Sequence, residues 1–468
     1  MSVPEWVKDA IFYQIFPDRF ANGDRSIDPP NVQHWGAPPT VWGFQGGDFQ
    51  GIMQHFDYML DLGINAIYLN PIFQASSNHR YNTTDYFKID PKLGDLETFH
   101  KLLELAHQHQ VRIIIDGVFN HCGRGFFAFQ DILENQEHSP YLNWFHVKNF
   151  PVDAYSRGDA QDYLAWWKIK SLPKFNTDNP AVRRYLLDVA RYWIEQGVDG
   201  WRLDVPNEID DDDFWAEFRS VVKSANPEAY ILGEIWTADI RWVGEDHFDG
   251  LMNYPVRDAV LRLLQMGTLD IPHFKIKLDD LRQLYPPENL DAMYVPLGSH
   301  DTERLLTKVE GSHSKAKLAF LFQFAFPGAP AIYYGDEIGL KGGKDPECRA
   351  AFPWDEKKWN VTLRSWVKNL VALRKEHTAL RRGTLEWICS NPVSGCLAFV
   401  RKDQADCVLV VMNPSPETRH THLPTKDIGW SSNSRPRSLL NGVEYSISQD
   451  VLSVNLEPWS GDWIVCRP

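Results

Sequence analysis

The sequence predicts an α/β fold: a (β/α)8 TIM barrel with a small domain inserted after strand 3 and a C-terminal antiparallel β-sandwich. Short apolar strands alternate with amphipathic helical segments over roughly the first 340 residues, a pattern typical of a parallel barrel. The third and fourth predicted strands lie about 85 residues apart, more than one helix and two loops require. Beyond about Arg382 the pattern changes to β-type runs separated by Pro, Gly and Ser.

The barrel strands are short apolar runs, and segments such as Leu96–Gln108 and Asp213–Ser224 supply the helices. The eight predicted strands are Ile11–Ile15, Ala66–Leu69, Arg112–Asp116, Gly200–Asp204, Tyr230–Glu234, Gly250–Met252, Met293–Leu297 and Ala331–Tyr334. The aromatic-rich surplus after the third strand is expected to overhang the barrel mouth. The predicted domains are residues 1–121 and 180–381 for the barrel, 122–179 for the inserted domain, and 382–468 for the sandwich.

Composition excludes several classes of partner. A net charge of −14 and a pI near 5.6 argue against nucleic acid or an anionic membrane surface. No apolar run approaches the roughly 18 residues that a membrane-spanning helix needs. Aromatic residues make up 13% of the chain, which suits a sugar-binding cleft because flat apolar rings stack on pyranose rings, although aromatics also fill cores.

The N-terminus and the cysteines indicate a cytoplasmic protein. No basic region followed by an apolar stretch precedes the first strand, so no secretion signal is expected. The cysteines show no CxxC or zinc-ligand spacing and are interpreted as free thiols in a reducing compartment. They are Cys122, Cys348, Cys389, Cys396, Cys407 and Cys466.

Polar and charged side chains follow four of the predicted strands. Strand alternation puts Arg202 and Asp204 on one face, a pair that taken alone is equally consistent with a structural ion pair. The other groups are Asp116–His121 after strand 3, Gly233–Trp236 after strand 5 and Ser299–Asp301 after strand 7. Charges are costly to bury, so three acids, two histidines and an arginine on one rim indicate a functional site.

Such a set can cleave glycosidic bonds. A retaining glycosidase needs one carboxylate to attack the anomeric carbon and a second, protonated group to donate to the leaving oxygen, about 5 Å apart. Asp204 suits the nucleophile because Arg202 should keep it ionised, and Glu234, beside two carboxylates, should have a raised pKa. The predicted supporting groups are Asp301 for the developing positive charge, and His121 and His300 for sugar hydroxyls.

The same segments resemble a known family. Asp116–His121, Gly200–Glu208, Gly233–Trp236 and Ser299–Asp301 are similar to the four conserved regions of the α-amylase superfamily (glycoside hydrolase family 13), in order and spacing. The similarity extends to Tyr13–Phe20 and Gly335–Glu337, and so covers the whole chain. Leu172–Asn176 and Val205–Glu208 resemble the neopullulanase, cyclomaltodextrinase and maltogenic amylase group. The resemblance implies retention of configuration, with Asp204 as nucleophile, Glu234 as acid/base and Asp301 as stabiliser.

Further binding residues are implied by the resemblance. Tyr81 matches a tyrosine that stacks on the sugar beside the scissile bond, where the residue alone would suggest a core tyrosine. Asp345 and Arg349 match residues that hold the next sugar on the non-reducing side. Glu208 matches a position that shapes the acceptor side, and Trp236 lies where the leaving group is expected, although a buried core Trp is an equally good interpretation. The predicted binding set is completed by Asp116, His121, Arg202 and His300.

A loop near the N-terminus is a candidate Ca²⁺ site. Oxygen ligands grouped on a loop, together with a backbone carbonyl, suit this ion, and an Asx-rich surface turn is the alternative. Members of the group often bind a structural calcium at positions that match Asn22, Asp24, Asp28, Gly46 and Asp48. Ile27 stands where relatives can have an Asn ligand, which would leave the site one oxygen short.

The front of the chain departs from the group. Relatives usually carry an N-terminal β-domain that dimerises across the partner's cleft and narrows it. Here the first predicted strand begins at Ile11, so that domain is expected to be absent. Cleft shape would then come from the inserted domain or from a different dimer contact. The sequence leaves open whether the protein forms a homodimer.

The leading functional hypothesis is an intracellular hydrolase of α-1,4 and perhaps α-1,6 glucosidic bonds in cyclodextrins, maltooligosaccharides and pullulan, with some transglycosylation. The alternatives are an α-amylase-like enzyme that prefers starch, an α-1,6-specific oligoglucosidase and a non-catalytic glucan-binding protein. Leu172–Asn176 favours the neopullulanase group over the oligoglucosidase. The required acid at all three catalytic positions disfavours the binding protein.

Overall fold

A computed structural model describes residues 3–388 and 395–467 of the chain. The part that carries the candidate site contains ten strands. They are β1 (Phe12–Ile15), β2 (Ala66–Leu69), β3 (Phe73–Ala75), β4 (Thr83–Ile89), β5 (Arg112–Gly117), β6 (Gly200–Leu203), β7 (Tyr230–Gly233), β8 (Gly250–Leu251), β9 (Tyr294–Pro296) and β10 (Ala329–Tyr333). Across the described ranges, every helix is too short or too polar to span a bilayer.

Eight of these strands form one parallel sheet in the order β8-β7-β6-β5-β2-β1-β10-β9. A parallel bridge between Met252 and Tyr294 joins the two end strands, so the sheet closes on itself. Large rings, among them Phe12 and Tyr230, fill the interior together with small residues such as Ala66. The predicted (β/α)8 barrel is therefore confirmed, with a packed interior instead of a pore.

Helices surround the barrel. They are α1 (Pro17–Phe20), α2 (Phe49–Gln54), α3 (Phe56–Leu62), α4 (Leu96–Gln108), α5 (Phe127–Asn135), α6 (Pro180–Glu195), α7 (Asp212–Ala225), α8 (Tyr254–Met266), α9 (Ile271–Leu284), α10 (Pro287–Asp291), α11 (Leu305–Lys308), α12 (His313–Ala325), α13 (Val361–Glu376) and α14 (Thr378–Arg382). The helix α6 shows why these segments are helical and pack on the barrel. Asn179 caps its first turn, Pro180 starts it, and an apolar stripe that includes Trp193 faces the core.

The strands lie where the sequence placed them, with ends shifted by one or two residues. Asp204 and Glu234 stand immediately after β6 and β7. The short antiparallel pair β3 and β4 was missed by the sequence analysis. Its pairing is irregular, with two register shifts, and β4 alternates only loosely between buried and partly exposed residues.

The segment between β5 and α6 contains α5 and otherwise mainly short 3-10 turns and isolated bridges. Its core is aromatic: Phe129 contacts both Phe145 and Tyr163, and Phe145 stacks on Phe175. A bridge between His121 and Lys174 ties the two ends of this segment together beside the barrel mouth. The domain limits given above remain predictions.

The C-terminal region is built from two antiparallel sheets, in the orders β11-β12-β13-β18-β15 and β14-β17-β16. The strands are β11 (Thr384–Trp387), β12 (Leu397–Lys402), β13 (Cys407–Asn413), β14 (Arg419–Pro424), β15 (Arg435–Ser438), β16 (Ile447–Ser448), β17 (Val451–Leu456) and β18 (Ser460–Arg467). Apolar residues from both sheets share one buried cluster, so the predicted sandwich is confirmed. Five of the cysteines form no disulfide, and Cys389 lies outside the described residues.

Candidate active site

One buried arginine organises the rim at the C-terminal ends of the strands. Nη1 of Arg202 donates to Asp116 Oδ1 at 2.7 Å and to Asp204 Oδ1 at 3.0 Å. Its Nη2 lies 2.8 Å from Glu234 Oε1. The structure thus brings together residues from three adjacent strands around a single guanidinium that is fully shielded from solvent. A planar cation with several donors is suited to hold such a set of carboxylates.

Asp116 is fixed from its other side by two phenols. Tyr68 donates to Asp116 Oδ2 at 2.6 Å and Tyr81 donates to the same oxygen at 2.8 Å. Tyr81 is therefore held by the site and is not simply a core residue. Its ring also lies parallel to the His300 ring, with centroids 5.5 Å apart.

His300 links Asp301 to the barrel interior. The Gln14 amide donates to both Asn70 Oδ1 and His300 Nδ1, so Nδ1 is the acceptor and the ring proton is on Nε2. That Nε2 faces Asp301 Oδ2 at 3.0 Å. Arg349 Nη2 reaches Asp301 Oδ1 at 3.2 Å.

Arg349 also pairs with Asp345 at 3.2 Å, so the two predicted binding residues lie next to the third acid. Burial alone would raise the pKa of Asp301, but His300 and Arg349 hold it well below its ordinary value. Asp301 is therefore charged at neutral pH.

The pKa of Glu234 is raised to about 7, first by burial and then by the charge of Asp301, with Arg202 opposing. Its Oε2 accepts a hydrogen bond from the Val205 N–H at 3.0 Å. Val205 adopts φ of +37°, which is strained for a β-branched residue. Sequence reasoning gave no signal for this conformation.

Asp204 behaves differently from the expectation that Arg202 would simply keep it ionised. Burial raises the pKa of Asp204 well above its ordinary value against the opposing effect of Arg202, and Glu234 raises it further. The physical reason is that the carboxyl is buried, and the guanidinium that opposes this effect also contacts two other carboxylates. Because each carboxyl raises the proton affinity of the other, Asp204 and Glu234 titrate as a pair.

His121 is buried next to the inserted segment. Burial lowers its pKa to about 3, so the ring is neutral. Asn120 Nδ2 lies 3.2 Å from its Nδ1, while its Nε2 has no hydrogen-bond partner among the described residues. An unpaired polar atom in such a place is suited to a substrate hydroxyl.

Glu208 and Trp236 have contact partners other than Arg202. Lys174 Nζ donates to the Glu208 carbonyl at 2.6 Å and lies 3.8 Å from its carboxylate. Trp236 is 46% exposed and stacks on Tyr254 with ring centroids 3.9 Å apart. The interpretation of Trp236 as a buried core residue is therefore wrong.

Sequence reasoning missed Tyr68, Gln14 and Asn70. Each is polar and stands in, or directly after, an apolar barrel strand. That placement at the carboxyl ends of β1 and β2 is the signal that could have identified them.

The candidate calcium residues cluster, but their oxygens are not equally available. Asp48 accepts from the backbone N–H groups of Gly23, Asp24 and Gly51. Asp24 accepts from the Ser26 N–H and hydroxyl.

Asn22 Nδ2 donates to Asp28 Oδ1 at 2.8 Å, and both side chains lie against Gly46. Asn22 Oδ1 is buried without a partner among the described residues. Within residues 3–388 and 395–467, no three His, Cys, Asp or Glu side chains form a metal-ligand group.

Comparison with known proteins identifies the family of this chain. The family described as alpha amylase, catalytic domain, matches residues 14–368, and the maltogenic amylase C-terminal domain matches residues 388–463. The chain belongs to the α-amylase family. It is a glycoside hydrolase of α-glucans, and membership of this family implies that configuration is retained.

Three relatives illustrate the similarity. A cyclomaltodextrinase of Geobacillus thermopakistaniensis (strain MAS1) is 46% identical over 98% of this chain and 77% of its own length. Neopullulanase 2 of Thermoactinomyces vulgaris is 43% identical over 98% of this chain and 78% of its own length. The crystal structure of a cyclic alpha-maltosyl-(1→6)-maltose hydrolase from Arthrobacter globiformis has a TM-score of 0.89 at 41% identity, covering 99% of this chain and 100% of that one.

The pH profile of this hydrolase is expected to follow Glu234. Since its pKa is raised to about 7, the proton that an acid catalyst needs is present below that pH, and kcat/KM should fall as pH rises through it. The measurement is kcat/KM on a maltooligosaccharide across pH, with circular dichroism at each pH to exclude unfolding. An alkaline limb near the ordinary carboxyl value of 4.5 would contradict the assignment.

We propose that Ca²⁺ binds through Asn22 Oδ1, the Asp28 carboxylate and the Gly46 carbonyl. EDTA should then lower the melting temperature by several degrees, and added Ca²⁺ should restore it, because an ion that binds only the folded state stabilises it. Asn22→Ala should abolish the shift, whereas Asn433→Ala, on an exposed turn elsewhere, should leave it intact. No shift with EDTA in the unaltered protein would refute the site.

Proposed function

We propose that this enzyme hydrolyses α-1,4 glucosidic bonds in cyclodextrins, maltooligosaccharides and pullulan, with secondary cleavage of α-1,6 bonds and some transfer to sugar acceptors. The observation that carries the mechanism is the Arg202 cluster, in which one buried guanidinium contacts both reacting carboxylates. The similarity to a cyclomaltodextrinase and a neopullulanase supports the substrate class.

Asp204 is the nucleophile in this proposal. Its Oδ1 is held by Arg202, so its remaining oxygen attacks the anomeric carbon while the bond to the leaving oxygen breaks. A glycosyl ester forms on Asp204. Water, deprotonated by Glu234, then cleaves this ester and restores the starting configuration.

Glu234 is the acid and then the base. The Val205 N–H and Arg202 fix the orientation of its carboxyl group, and burial makes the group protonated near neutrality. In the reactive form of the pair, the shared proton is on Glu234 and the charge is on Asp204. The proton moves to the leaving oxygen as the bond breaks.

The other side chains position the sugar. The charged Asp301 stabilises the positive charge that develops on the ring, and the unpaired His121 Nε2 donates a hydrogen bond to a sugar hydroxyl. Asp345 and Arg349 bind the next sugar on the non-reducing side. Trp236 and Glu208 lie toward the leaving-group side.

The cytoplasm is the proposed location. The five described cysteines include buried thiols and form no disulfide, as is usual in a reducing compartment. A homodimer formed by the residues of this chain would have to use a contact other than the N-terminal domain by which the neopullulanase group dimerises.

Two variants separate the roles of the reacting acids. Asp204→Asn and Glu234→Gln should each lower kcat on maltoheptaose by at least about a thousandfold, because each removes a group that acts in the transition state. With α-maltosyl fluoride, whose leaving group needs no proton, Glu234→Gln should still form the glycosyl-enzyme. Asp204→Asn should not.

Intact-protein mass spectrometry measures that adduct. Asp213→Asn, at an exposed position on α7, is the matched control and should be fully active. An adduct on Asp204→Asn, or near-normal turnover by either active-site variant, would refute the assignments.

The substrate proposal is tested by initial rates on β-cyclodextrin and starch at equal glucose-equivalent concentration, with products separated by chromatography. A rate on the ring many-fold above that on starch is expected. A faster rate on starch would indicate an open-cleft, α-amylase-like enzyme instead. Turnover of neither would favour a glucan-binding protein.

A further inference from the structure

A tryptophan stands exposed on the loop between α1 and α2. Trp42 has 81% of its surface accessible to solvent, although it is a large apolar ring. A turn precedes Gly43, whose N–H is bonded to the Thr40 hydroxyl at 3.0 Å. An isolated apolar residue on a surface is ordinary, but this one differs in how its backbone is held and in where it lies.

The backbone on both sides of Trp42 is fixed by a buried side chain. Asn78, only 4% exposed, donates from Nδ2 to the Val41 carbonyl at 3.0 Å and to the Gly43 carbonyl at 2.8 Å. Arg19 Nη2 donates to the same Gly43 carbonyl at 2.7 Å. Three hydrogen bonds from buried donors thus hold the main chain that flanks an indole which itself faces solvent.

The rest of the loop is also held in place. Gln45 accepts from the Gly36 N–H at 2.9 Å and donates to the Ala37 carbonyl at 2.8 Å. Trp35 Nε1 donates to the Phe352 carbonyl at 3.0 Å. Because the loop is ordered before any ligand arrives, a ring presented by it would bind with little loss of conformational entropy.

The anchors of Trp42 lead into the active site. Asn78 is followed directly by His79, whose ring stacks on Tyr81 with centroids 5.9 Å apart. Arg19 also donates from Nη1 to the Arg349 carbonyl at 3.4 Å. The side chain of Arg349 contacts Asp301 and Asp345. The Trp42 loop is therefore attached to the side of the site that binds the non-reducing sugars.

We propose that Trp42 is a stacking platform for a glucosyl unit of the substrate, one position beyond the unit bound by Asp345 and Arg349. Sugar rings carry no charge and present flat faces of C–H groups, which a preorganised indole matches. This inference rests on the proposed function, and it names a residue that determines which chain lengths are preferred. Trp42 contacts substrate without taking part in bond cleavage.

The test compares long and short substrates. Trp42→Ala should raise KM for maltoheptaose by roughly tenfold, the loss of one apolar ring contact, with little change in kcat. Maltotriose is too short to reach the platform, so its KM should change far less. Trp42→Phe should recover most of the lost affinity, which a purely structural role would not predict.

A binding measurement independent of turnover uses the Asp204→Asn background. Tryptophan fluorescence titrated with maltoheptaose should give a roughly tenfold weaker Kd when Trp42→Ala is added. Leu269→Ala removes an equally exposed apolar side chain, 85% accessible, from a different region and should change neither KM nor Kd.

Three outcomes would overturn the inference. These are equal effects on maltoheptaose and maltotriose, no effect on either, or a change in molecular mass without a change in KM, which would make Trp42 a contact between two copies of the chain. Failure of the unaltered enzyme to cleave any α-glucan would instead refute the proposed function.

Discussion

The site depends on the guanidinium of Arg202. Three carboxylates from adjacent strands end at one place, and burying them together without a cation would cost more than folding can supply. Arg202 contacts all three, and its planar group also fixes their relative positions. The same arrangement limits what the cation does for any single acid, because its charge is divided. Burial is the main cause of the raised pKa values of Asp204 and Glu234, and Arg202 opposes it in both.

Around this charged centre the enzyme places groups that are neutral at physiological pH. Burial lowers the pKa of both His121 and His300, so each ring carries a defined donor and acceptor and no charge. Tyr68 and Tyr81 are kept as phenols, with pKa values raised well above the ordinary value by burial. The site can therefore bind the hydroxyls of a neutral sugar through directional hydrogen bonds and not through charge. The second cation, Arg349, is shared between Asp301 and Asp345.

The sequence was most informative where local pattern and global fold agree. The apolar runs of the barrel strands ended in acids, so the positions of Asp204, Glu234 and Asp301 at a common rim followed from the parallel sheet alone. Contacts that depend on three-dimensional sharing were not predictable. Strand alternation paired Arg202 with Asp204, but could not show that Glu234 and Asp116 compete for the same cation. The left-handed conformation of Val205 also has no sequence signal, since valine disfavours it.

Whether the loop near the N-terminus binds Ca²⁺ could not be predicted from the sequence for a similar reason. Asx residues can bind an ion or cap a nearby backbone N–H, and Asp48 does the second at the start of α2. Only the folded structure shows which of these oxygen atoms remain free to bind an ion. The substrate preference is harder still, because it is set by residues such as Trp42 whose neighbours in space are distant in the chain.

The way in which Glu234 is oriented affects which substitutions the enzyme can tolerate. Glu234 is oriented by a main-chain N–H, which every residue except proline provides. The side chain at position 205 therefore takes no part in orienting Glu234. This position can vary, provided that the backbone keeps its turn. The following residues, Pro206–Glu208, form a short 3-10 turn. The proton donor takes its alignment from the peptide backbone, so a substitution at position 205 that keeps this turn leaves that hydrogen bond in place.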